Sequence, residues 1–378
     1  MDFAFSQEQE ELRGAVRRFL ADKSPEPEVR RLMATPEGYD PAVWKQMAEQ
    51  LGLQSLAVPE RHGGAGFGFV ELVIVLEEMG GALLCAPFLS SAVLGAQSLI
   101  TSGDEEAMGR WLPGIVSGET IATLAVTEDS GRWDLDGIGL VARRSDEVDE
   151  GDGGGWVLEG HKSFVLDGYL ATLLLVAARS TEGIGLFAVR GDAPRLTRTP
   201  LPTLDQTRKQ ARLEFGGTPG TPVGEPGGAR AGIAKTLQLA AVALAAEQVG
   251  GAQHCLDRAV EYAKSRVQFG RPIGSFQAIK HKCADLLVEV EFARSAAYYA
   301  GWAAAEDSDE LLLAASLAKS YCSGTYFHAA AENIQIHGGI GFTWEHDAHL
   351  YLKRAKSSEL LFGDPTYHRE LLARRLGI

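Results

Sequence analysis

The stretch Arg266-Val-Gln-Phe-Gly-Arg-Pro-Ile-Gly-Ser-Phe-Gln277 separates two long alanine-rich segments whose apolar residues recur at helical spacing. Pro272 ends any helix within it, and Gly270 and Gly274 allow the backbone to turn sharply. This turn carries a guanidinium, an aromatic ring and an amide, whereas connections between buried helices usually carry small polar residues. Arginine suits a phosphate and an aromatic ring suits a flat ligand. The stretch therefore predicts either a ligand-binding loop or a solvated surface hairpin.

A second turn, Gln335-Ile-His-Gly-Gly-Ile-Gly-Phe342, favours the ligand-binding interpretation. Its paired glycines let a backbone approach a ligand closely. Together, RxxFGxxIxxFQ and QxxGGxGF at this separation resemble the acyl-CoA dehydrogenase family of flavoproteins. The resemblance extends from end to end, because MDFAFSQEQEELRGAVRRFL, LAVPERHGGAG, LAVTED and these two motifs occur in the family's order. It implies FAD as cofactor, an acyl-CoA substrate, a role in fatty acid or lipid catabolism, and an electron-transfer flavoprotein as electron acceptor.

The composition is that of a globular protein of two or three domains. The chain has 378 residues, 45% of them hydrophobic, and a net charge of −14 without a basic run, which argues against nucleic acid as a partner. No apolar stretch reaches the roughly 18 residues of a membrane span, and the acidic N-terminus does not resemble a signal peptide. The four cysteines lack metal-ligand spacing, so they predict reduced core residues of a cytoplasmic protein and no metal site.

The predicted fold class is α+β, with three domains along the chain. Residues 1–120 indicate an N-terminal helical domain whose first helix begins with a capping box at Ser6. Residues 121–232 contain short apolar runs separated by turns, typical of a small antiparallel β-barrel or sandwich. Residues 233–378 are alanine-rich and strongly periodic, as in a four-helix bundle. An acidic, glycine-rich stretch, 143–155, predicts an exposed and mobile loop between two strands.

The resemblance implies FAD contacts in the middle domain and in the C-terminal domain. Thr127 and Ser130 match the family's flavin-contacting segment, and Phe164-Val-Leu-Asp167 matches its Trp-x-Thr-Asn segment. Phe164 can keep the ring contact, whereas Leu166 cannot donate a hydroxyl hydrogen bond. The family builds each FAD site across a dimer contact, so a homo-tetramer, or a hetero-tetramer with a related subunit, is expected. The C-terminal contacts implied are Arg266, Phe269 and Gln277 to the neighbouring subunit's FAD, and Gln335, Gly338 and Gly339 to its adenosine and diphosphate half.

The catalytic carboxylate is the point at which this sequence departs from the family. The family's two base positions align with Phe362 and Ala240, and neither residue can take a proton. Glu247 lies two turns after Ala240 in an otherwise apolar helix, about 10 Å further along. An unpaired carboxylate there is unfavourable, so Glu247 is the preferred candidate base, and a buried partner of an arginine or lysine is the alternative. Asp364, two residues after Phe362, is the second candidate; solvation or cofactor contact is its alternative role.

Two functions follow from these residues. The first is an FAD-dependent acyl-CoA dehydrogenase with a relocated base, in which a carboxylate removes the C2 proton and flavin accepts the C3 hydride to give a trans-2-enoyl-CoA. The second is a non-catalytic subunit that completes the FAD site of a homologous partner in a hetero-oligomer. Flavin monooxygenase or nitroalkane-oxidase-like chemistry is a weaker third possibility, because no feature of the sequence favours it.

Overall fold

The computed structural model describes residues 5–145 and 155–378. Helices form both ends of the described chain and a sheet forms its middle, which confirms the α+β fold class. The predicted capping box is present, since Ser6 accepts from the backbone N–H of Gln9 and the Gln9 side chain accepts from that of Ser6. The stretch 143–155, predicted as a loop, lies mostly outside the described residues. The N-terminal helices are α1 (Gln7–Lys23), α2 (Glu26–Met33), α3 (Pro41–Glu49), α4 (Phe69–Gly81), α5 (Ala96–Ser102, preceded by a π-helical turn, Leu89–Gly95) and α6 (Glu105–Val116); the C-terminal helices are α7 (Arg230–Ser265), α8 (Gln277–Ala305), α9 (Leu311–His337), α10 (Ala348–Leu360) and α11 (Pro365–Leu376).

An eight-stranded sheet forms the middle of the chain. Its strands are β1 (Ala122–Ala125), β2 (Val141–Arg144), β3 (Trp156–Leu166), β4 (Leu173–Ser180), β5 (Gly183–Arg190), β6 (Leu196–Pro200), β7 (Gln210–Pro219) and β8 (Thr221–Val223). Its order is β6-β7-β3-β2-β4-β5-β8, with β1 also paired to β4. Most pairs are antiparallel, as predicted, but β1 runs parallel to β4 with Ala122 opposite Leu173, and Val141 on β2 pairs parallel with Arg179. All four residues of β1 are buried, a pattern typical of strands in parallel pairs.

The described chain forms two compact units. These units group α1 and α4 with the C-terminal helices, and α3, α5 and α6 with the sheet. The three domains with boundaries at 120 and 232 stay a prediction. No helix of the described residues is long and apolar enough to cross a membrane. The helical unit comprises the described part of Met1–Arg31 together with Phe69–Leu84 and Ala241–Ile378; the sheet unit comprises Leu32–Gly68 and Cys85–Ala240.

Within the helical unit, α4 and α7 approach closely because glycines lie at their contact. A Cβ atom added to Gly80 would lie 1.9 Å from the carbonyl oxygen of Glu247, and one added to Gly250 would lie 1.8 Å from that of Glu77. Such distances are far inside van der Waals contact, so these positions accept only a hydrogen atom as side chain. The close approach fixes the section of α7 that carries Glu247.

We expect Gly250→Ala to lower the free energy of unfolding by about 1–3 kcal/mol, since α4 or α7 must shift to accommodate the methyl group. Gly324→Ala in α9 is the matched control, because an added Cβ there meets no described atom within 4 Å. That substitution should be neutral or stabilise by about 0.5–1 kcal/mol. Urea unfolding of both variants tests this, and equal effects would contradict the packing described.

Candidate cofactor and active site

The Arg266–Gln277 stretch forms a short hairpin between α7 and α8. Its strands, β9 (Val267–Gln268) and β10 (Arg271–Pro272), pair antiparallel. Phe269 and Gly270 at the tip have φ values of 53° and 78°, as a tight hairpin turn requires. A left-handed conformation is strained for phenylalanine, and such strain is commonly found at functional sites. The ring of Phe269 is 91% exposed, so the hairpin presents a large apolar surface to a ligand or a partner.

Contacts within the helical unit hold this hairpin in place. The N–H of Arg266 donates to Tyr262 O at 2.8 Å, and the N–H of Ile273 donates to Arg266 O at 2.8 Å. The guanidinium of Arg271 lies 4.2 Å from the centre of the Phe276 ring. Ile273 also packs on a buried cluster that joins the end of α7 to the end of α9. That cluster consists of Ala259, Ala263 and Ile336.

The second glycine motif lies where α9 ends. Gly338 begins a 3-10 turn, Gly338–Phe342, and a Cβ atom added to Gly338 or Gly339 would meet no described atom within 4 Å. Backbone groups of this turn are therefore accessible to a ligand, and the side chain of Gln335 is exposed beside it. His337 has a structural contact instead: its ring stacks on Tyr262 with centroids 4.2 Å apart, and burial lowers its pKa.

Three of the residues assigned to FAD lie in the sheet unit, and the structure brings two of them, Thr127 and Phe164, close together. Thr127 is buried two residues after the end of β1; its Oγ1 donates to Ser163 O at 2.6 Å, and the N–H of Ser163 donates to Thr127 O at 2.9 Å. These bonds hold Thr127 next to the segment that contains Phe164, which is 40% exposed and has a φ of 59°. Ser130 is exposed, and its Oγ accepts a long hydrogen bond from Arg132 N at 3.5 Å.

The same segment contains a buried lysine that the sequence did not lead us to assign to the site. Lys162 is fully buried, and its Nζ donates to Val126 O at 2.8 Å and to Glu128 Oε1 at 2.9 Å. Burial lowers the pKa of Lys162 to about 8, although the Glu128 carboxylate opposes that shift. The ammonium thus holds the backbone carbonyl before Thr127 and the side-chain carboxylate after it. The lysine directly before Ser163, next to a strand-like apolar run, is the sequence feature that could have indicated that Lys162 holds this segment.

Glu247 is paired with a buried arginine. Its Oε1 accepts from Nη1 of Arg354 on α10 at 2.9 Å, and the two residues are 5% and 2% exposed. This is the structural alternative expected from the sequence, an ion pair with a neighbouring helix. Asp364 is the N-cap of α11, where its Oδ1 accepts from Tyr367 N at 2.7 Å. Phe362 is buried at the aligned base position. Catalysis by Glu247 or Asp364 stays a prediction.

A second buried lysine anchors the loop that aligns with the family's usual base. Lys319 Nζ donates to Glu359 O and to Gly363 O, both at 3.1 Å, and to Ser323 Oγ at 3.0 Å. Nε2 of Gln248 also donates to Ser323 Oγ at 3.0 Å, which connects α7 to the same network. Burial lowers the pKa of Lys319 to about 7. The network therefore fixes the end of α10 against α9.

Comparison with known proteins establishes the family. The acyl-CoA dehydrogenase N-terminal domain matches residues 6–119, and the acyl-CoA dehydrogenase C-terminal domain matches residues 229–377. Acyl-CoA dehydrogenase IpdE2 of Mycobacterium tuberculosis is 37% identical over 371 residues, which cover 97% of this chain and 96% of that protein. Among solved structures, the Tcur3481–Tcur3483 steroid ACAD is 30% identical with a TM-score of 0.86 and 98% of each chain covered. The ChsE4–ChsE5 complex of Mycobacterium tuberculosis is 29% identical with a TM-score of 0.89, covering 100% and 99%.

The chain belongs to the acyl-CoA dehydrogenase family, whose members are FAD-dependent oxidoreductases that act on CH–CH groups. In the helical unit its residues fit the cofactor well, because Arg266 offers a cation for a pyrophosphate and the glycine turn offers accessible backbone. In the sheet unit the fit is poorer. The Thr127 hydroxyl already donates to Ser163, and Leu166 is apolar. The Asp129 carboxylate accepts from Ser163 Oγ at 2.5 Å and is ion-paired with the guanidinium of Arg212, so it leaves no excess charge close by.

We expect Glu247→Gln to lower the free energy of unfolding by about 3–5 kcal/mol, because it leaves the Arg354 guanidinium buried without its charged partner. Urea unfolding followed by circular dichroism measures this loss. The control is the double variant Glu247→Gln/Arg354→Met, which removes both charges and should recover most of the stability. A Glu247→Gln protein of unchanged stability whose flavin reduction by acyl-CoA falls at least about a hundredfold would instead support Glu247 as the base.

We expect Lys319 to make the free energy of unfolding rise with pH above about 7. Its pKa is about 7 in the folded chain against a usual 10.5, so the unfolded chain binds more protons in this range. The rise from one such group is at most about 1.4 kcal/mol per pH unit. The Lys319→Met variant has no titrating group at this position, so its folded and unfolded states no longer differ in proton binding there. The control Lys45→Met, at an exposed position, keeps Lys319 and therefore keeps that difference. Parallel stability curves for wild type and Lys319→Met between about pH 7 and 8.5 would contradict the prediction.

Proposed function

We propose that this chain is the subunit without a catalytic base in a two-protein, FAD-dependent acyl-CoA dehydrogenase. The observation that carries the proposal is the buried ion pair of Glu247 and Arg354, 2.9 Å apart. A carboxylate held by a guanidinium is a weak base, because the neighbouring positive charge stabilises its ionised form. Ala240 and Phe362, at the family's two base positions, cannot accept a proton. Removal of the substrate proton is thereby left to the related subunit.

The proposed reaction is the oxidation of an acyl-CoA thioester to its trans-2-enoyl-CoA. A carboxylate of the related subunit takes the C2 proton, and bound FAD supplies the acceptor for the C3 hydride before electrons pass to an electron-transfer flavoprotein. The part of this chain is to hold the cofactor. Arg266 binds its pyrophosphate, Phe269 and Gln277 contact its neighbouring groups, and the backbone of the glycine turn lines its adenosine half.

Exposed apolar residues of the helical unit support an oligomer. Large exposed apolar side chains in a soluble chain commonly mark an interface. On α8 and α9 they are numerous, and they suit a tetramer made of two copies each of two related subunits. The names of two structural neighbours, ChsE4–ChsE5 and Tcur3481–Tcur3483, each combine two proteins. The exposed residues are Leu287, Val288, Phe292, Leu317, Tyr321 and Phe327.

The proposed acyl group is bulky and polycyclic. The Tcur3481–Tcur3483 neighbour is described as a steroid ACAD, and its 30% identity over 98% of this chain supports a similar substrate class. A role in the catabolism of such a lipid and a cytoplasmic location, as the unbridged cysteines suggest, belong to the same proposal.

Native mass spectrometry of the affinity-tagged chain, purified from its own host, tests the proposed assembly. We expect equal numbers of this chain and of a second acyl-CoA dehydrogenase that carries glutamate at a family base position, together with FAD. Assembly of this chain solely with itself, or a stable FAD-loaded monomer, would contradict the proposal.

We expect Arg266→Ala to weaken FAD retention about ten- to a hundredfold in the assembled protein, because a charge-assisted contact to phosphate contributes about 1.5–3 kcal/mol. Flavin content after dialysis measures the effect. Arg271→Ala is the control, since Arg271 lies on the same hairpin but packs on Phe276. Full flavin occupancy in Arg266→Ala, or equal losses in both variants, would show that this hairpin is not the pyrophosphate site.

A further inference from the structure

One side of α8 combines apolar and acidic side chains. Asp285, Val288, Glu289 and Phe292 are spaced i, i+3, i+4 and i+7, so they share one side of the helix. Val288 and Phe292 are both more than half exposed. Large apolar side chains in such positions commonly mark an interface. The two carboxylates therefore lie within a surface that suits a protein partner.

A stripe of residues on α9 extends this surface. Leu317, Tyr321, Gly324 and His328 are spaced i, i+4, i+7 and i+11 and therefore share one side of that helix. The two stripes adjoin, because Nδ1 of His328 lies 2.8 Å from Oε2 of Glu289. A Cβ atom added to Gly324 would meet no described atom within 4 Å, so a partner can approach this stripe closely. We call the residues of the two stripes together the α8–α9 face.

The charges of the α8–α9 face do not balance one another. Asp285 is exposed and forms no ion pair within residues 5–145 and 155–378. The carboxylate of Glu289 contacts the imidazole of His328, and a neutral imidazole donates a hydrogen bond without cancelling a negative charge. The neighbouring carboxylate, Glu332, is already paired with Lys282. The charges of Asp285 and Glu289 are therefore left without a cation.

The other charged side chains of α8 do not supply this cation. Lys280 precedes Asp285 by five residues, which places it about 140° away around the helix. Arg294 contacts Glu291 at 3.4 Å and also binds a buried carboxylate of α4. The exposed His281 is the further titratable side chain near the face. A second copy of this chain would consequently bring the same carboxylates to the α8–α9 face and no unpaired lysine or arginine from that side of α8.

We propose that the α8–α9 face binds a related subunit that carries lysine or arginine side chains opposite Asp285 and Glu289, and that the two carboxylates disfavour pairing with a second copy of this chain. This inference rests on the proposed two-protein assembly and identifies the chemistry by which the partner is selected. The apolar residues supply contact area to any pairing. The carboxylates discriminate between partners, because like charges that meet at an interface repel and opposite charges attract.

Two forms of the full-length chain, one of them fluorescently labelled, test this charge complementarity directly. The variant Asp285→Lys/Glu289→Lys presents the same apolar residues with the opposite charges. Labelled wild-type chain should therefore bind this variant at least about tenfold more tightly than it binds unlabelled wild-type chain. Sedimentation at about pH 8, where a histidine of ordinary pKa is neutral, measures both affinities. The difference should shrink between about 50 mM and 0.5 M salt, because added ions screen the charges.

The matched control is Glu119→Lys/Glu370→Lys, which changes the net charge by the same amount at two exposed positions outside the α8–α9 face. Labelled wild-type chain should bind this control within about twofold of its affinity for unlabelled wild-type chain, because distant surface charges are screened. In the assembly purified from the host, Asp285→Asn/Glu289→Gln should weaken retention of the second subunit at least about tenfold. Glu119→Gln/Glu370→Gln should leave that retention unchanged.

Three results would overturn the proposal. The first is labelled wild-type chain that binds Asp285→Lys/Glu289→Lys no more tightly than it binds wild type. The second is equal binding of that variant and of the lysine control, which would indicate an effect of net charge alone. The third is full retention of the second subunit by Asp285→Asn/Glu289→Gln. A wild-type chain that assembles solely with itself would contradict the proposed function instead, and tighter binding to the lysine variant would still establish the charge complementarity of the face.

Discussion

A buried carboxylate needs a partner, and in this chain Glu247 has one in Arg354. Removing both charges from water is unfavourable, so the pair is tolerated only while each group balances the other. The section of α7 that carries Glu247 lies against α4, where glycines leave no room for a side chain. On this account, the carboxylate that stands out in the sequence holds α7 to α10. The cofactor contacts that we propose lie elsewhere, on the Arg266–Gln277 hairpin and on the glycine turn at the end of α9.

The two groups of residues that we propose to contact FAD suit that cofactor to different extents. The hairpin keeps Arg266 and an exposed Phe269 on a rigid support, and the glycine turn at the end of α9 keeps its backbone accessible. The sheet segment has Leu166 in place of a hydroxyl, and the hydroxyl of Thr127 already donates to Ser163 O. This asymmetry suits a subunit that contributes to a neighbour's cofactor site more than to its own.

Much of this architecture could be predicted from the sequence, because periodicity, turn residues and two linked motifs each carry local information. The parallel pairing of β1 with β4 could not, since a four-residue apolar run is compatible with either direction. The partner of Glu247 lies 107 positions away, and no local pattern indicates which neighbouring helix supplies it. Backbone strain at Phe164 and Phe269 likewise depends on the folded turns.

Anaerobic flavin reduction by the FAD-loaded two-protein assembly, with the base carboxylate of the related subunit replaced by its amide, tests the central claim most directly when the assembly is mixed with a panel of acyl-CoA thioesters that includes polycyclic ones. The claim is that this chain contains no residue that removes the C2 proton. The account predicts that the visible flavin absorbance persists in this variant assembly and is bleached in the unaltered one. Bleaching of the variant assembly, abolished by adding Glu247→Gln in folded and FAD-loaded protein, would contradict it.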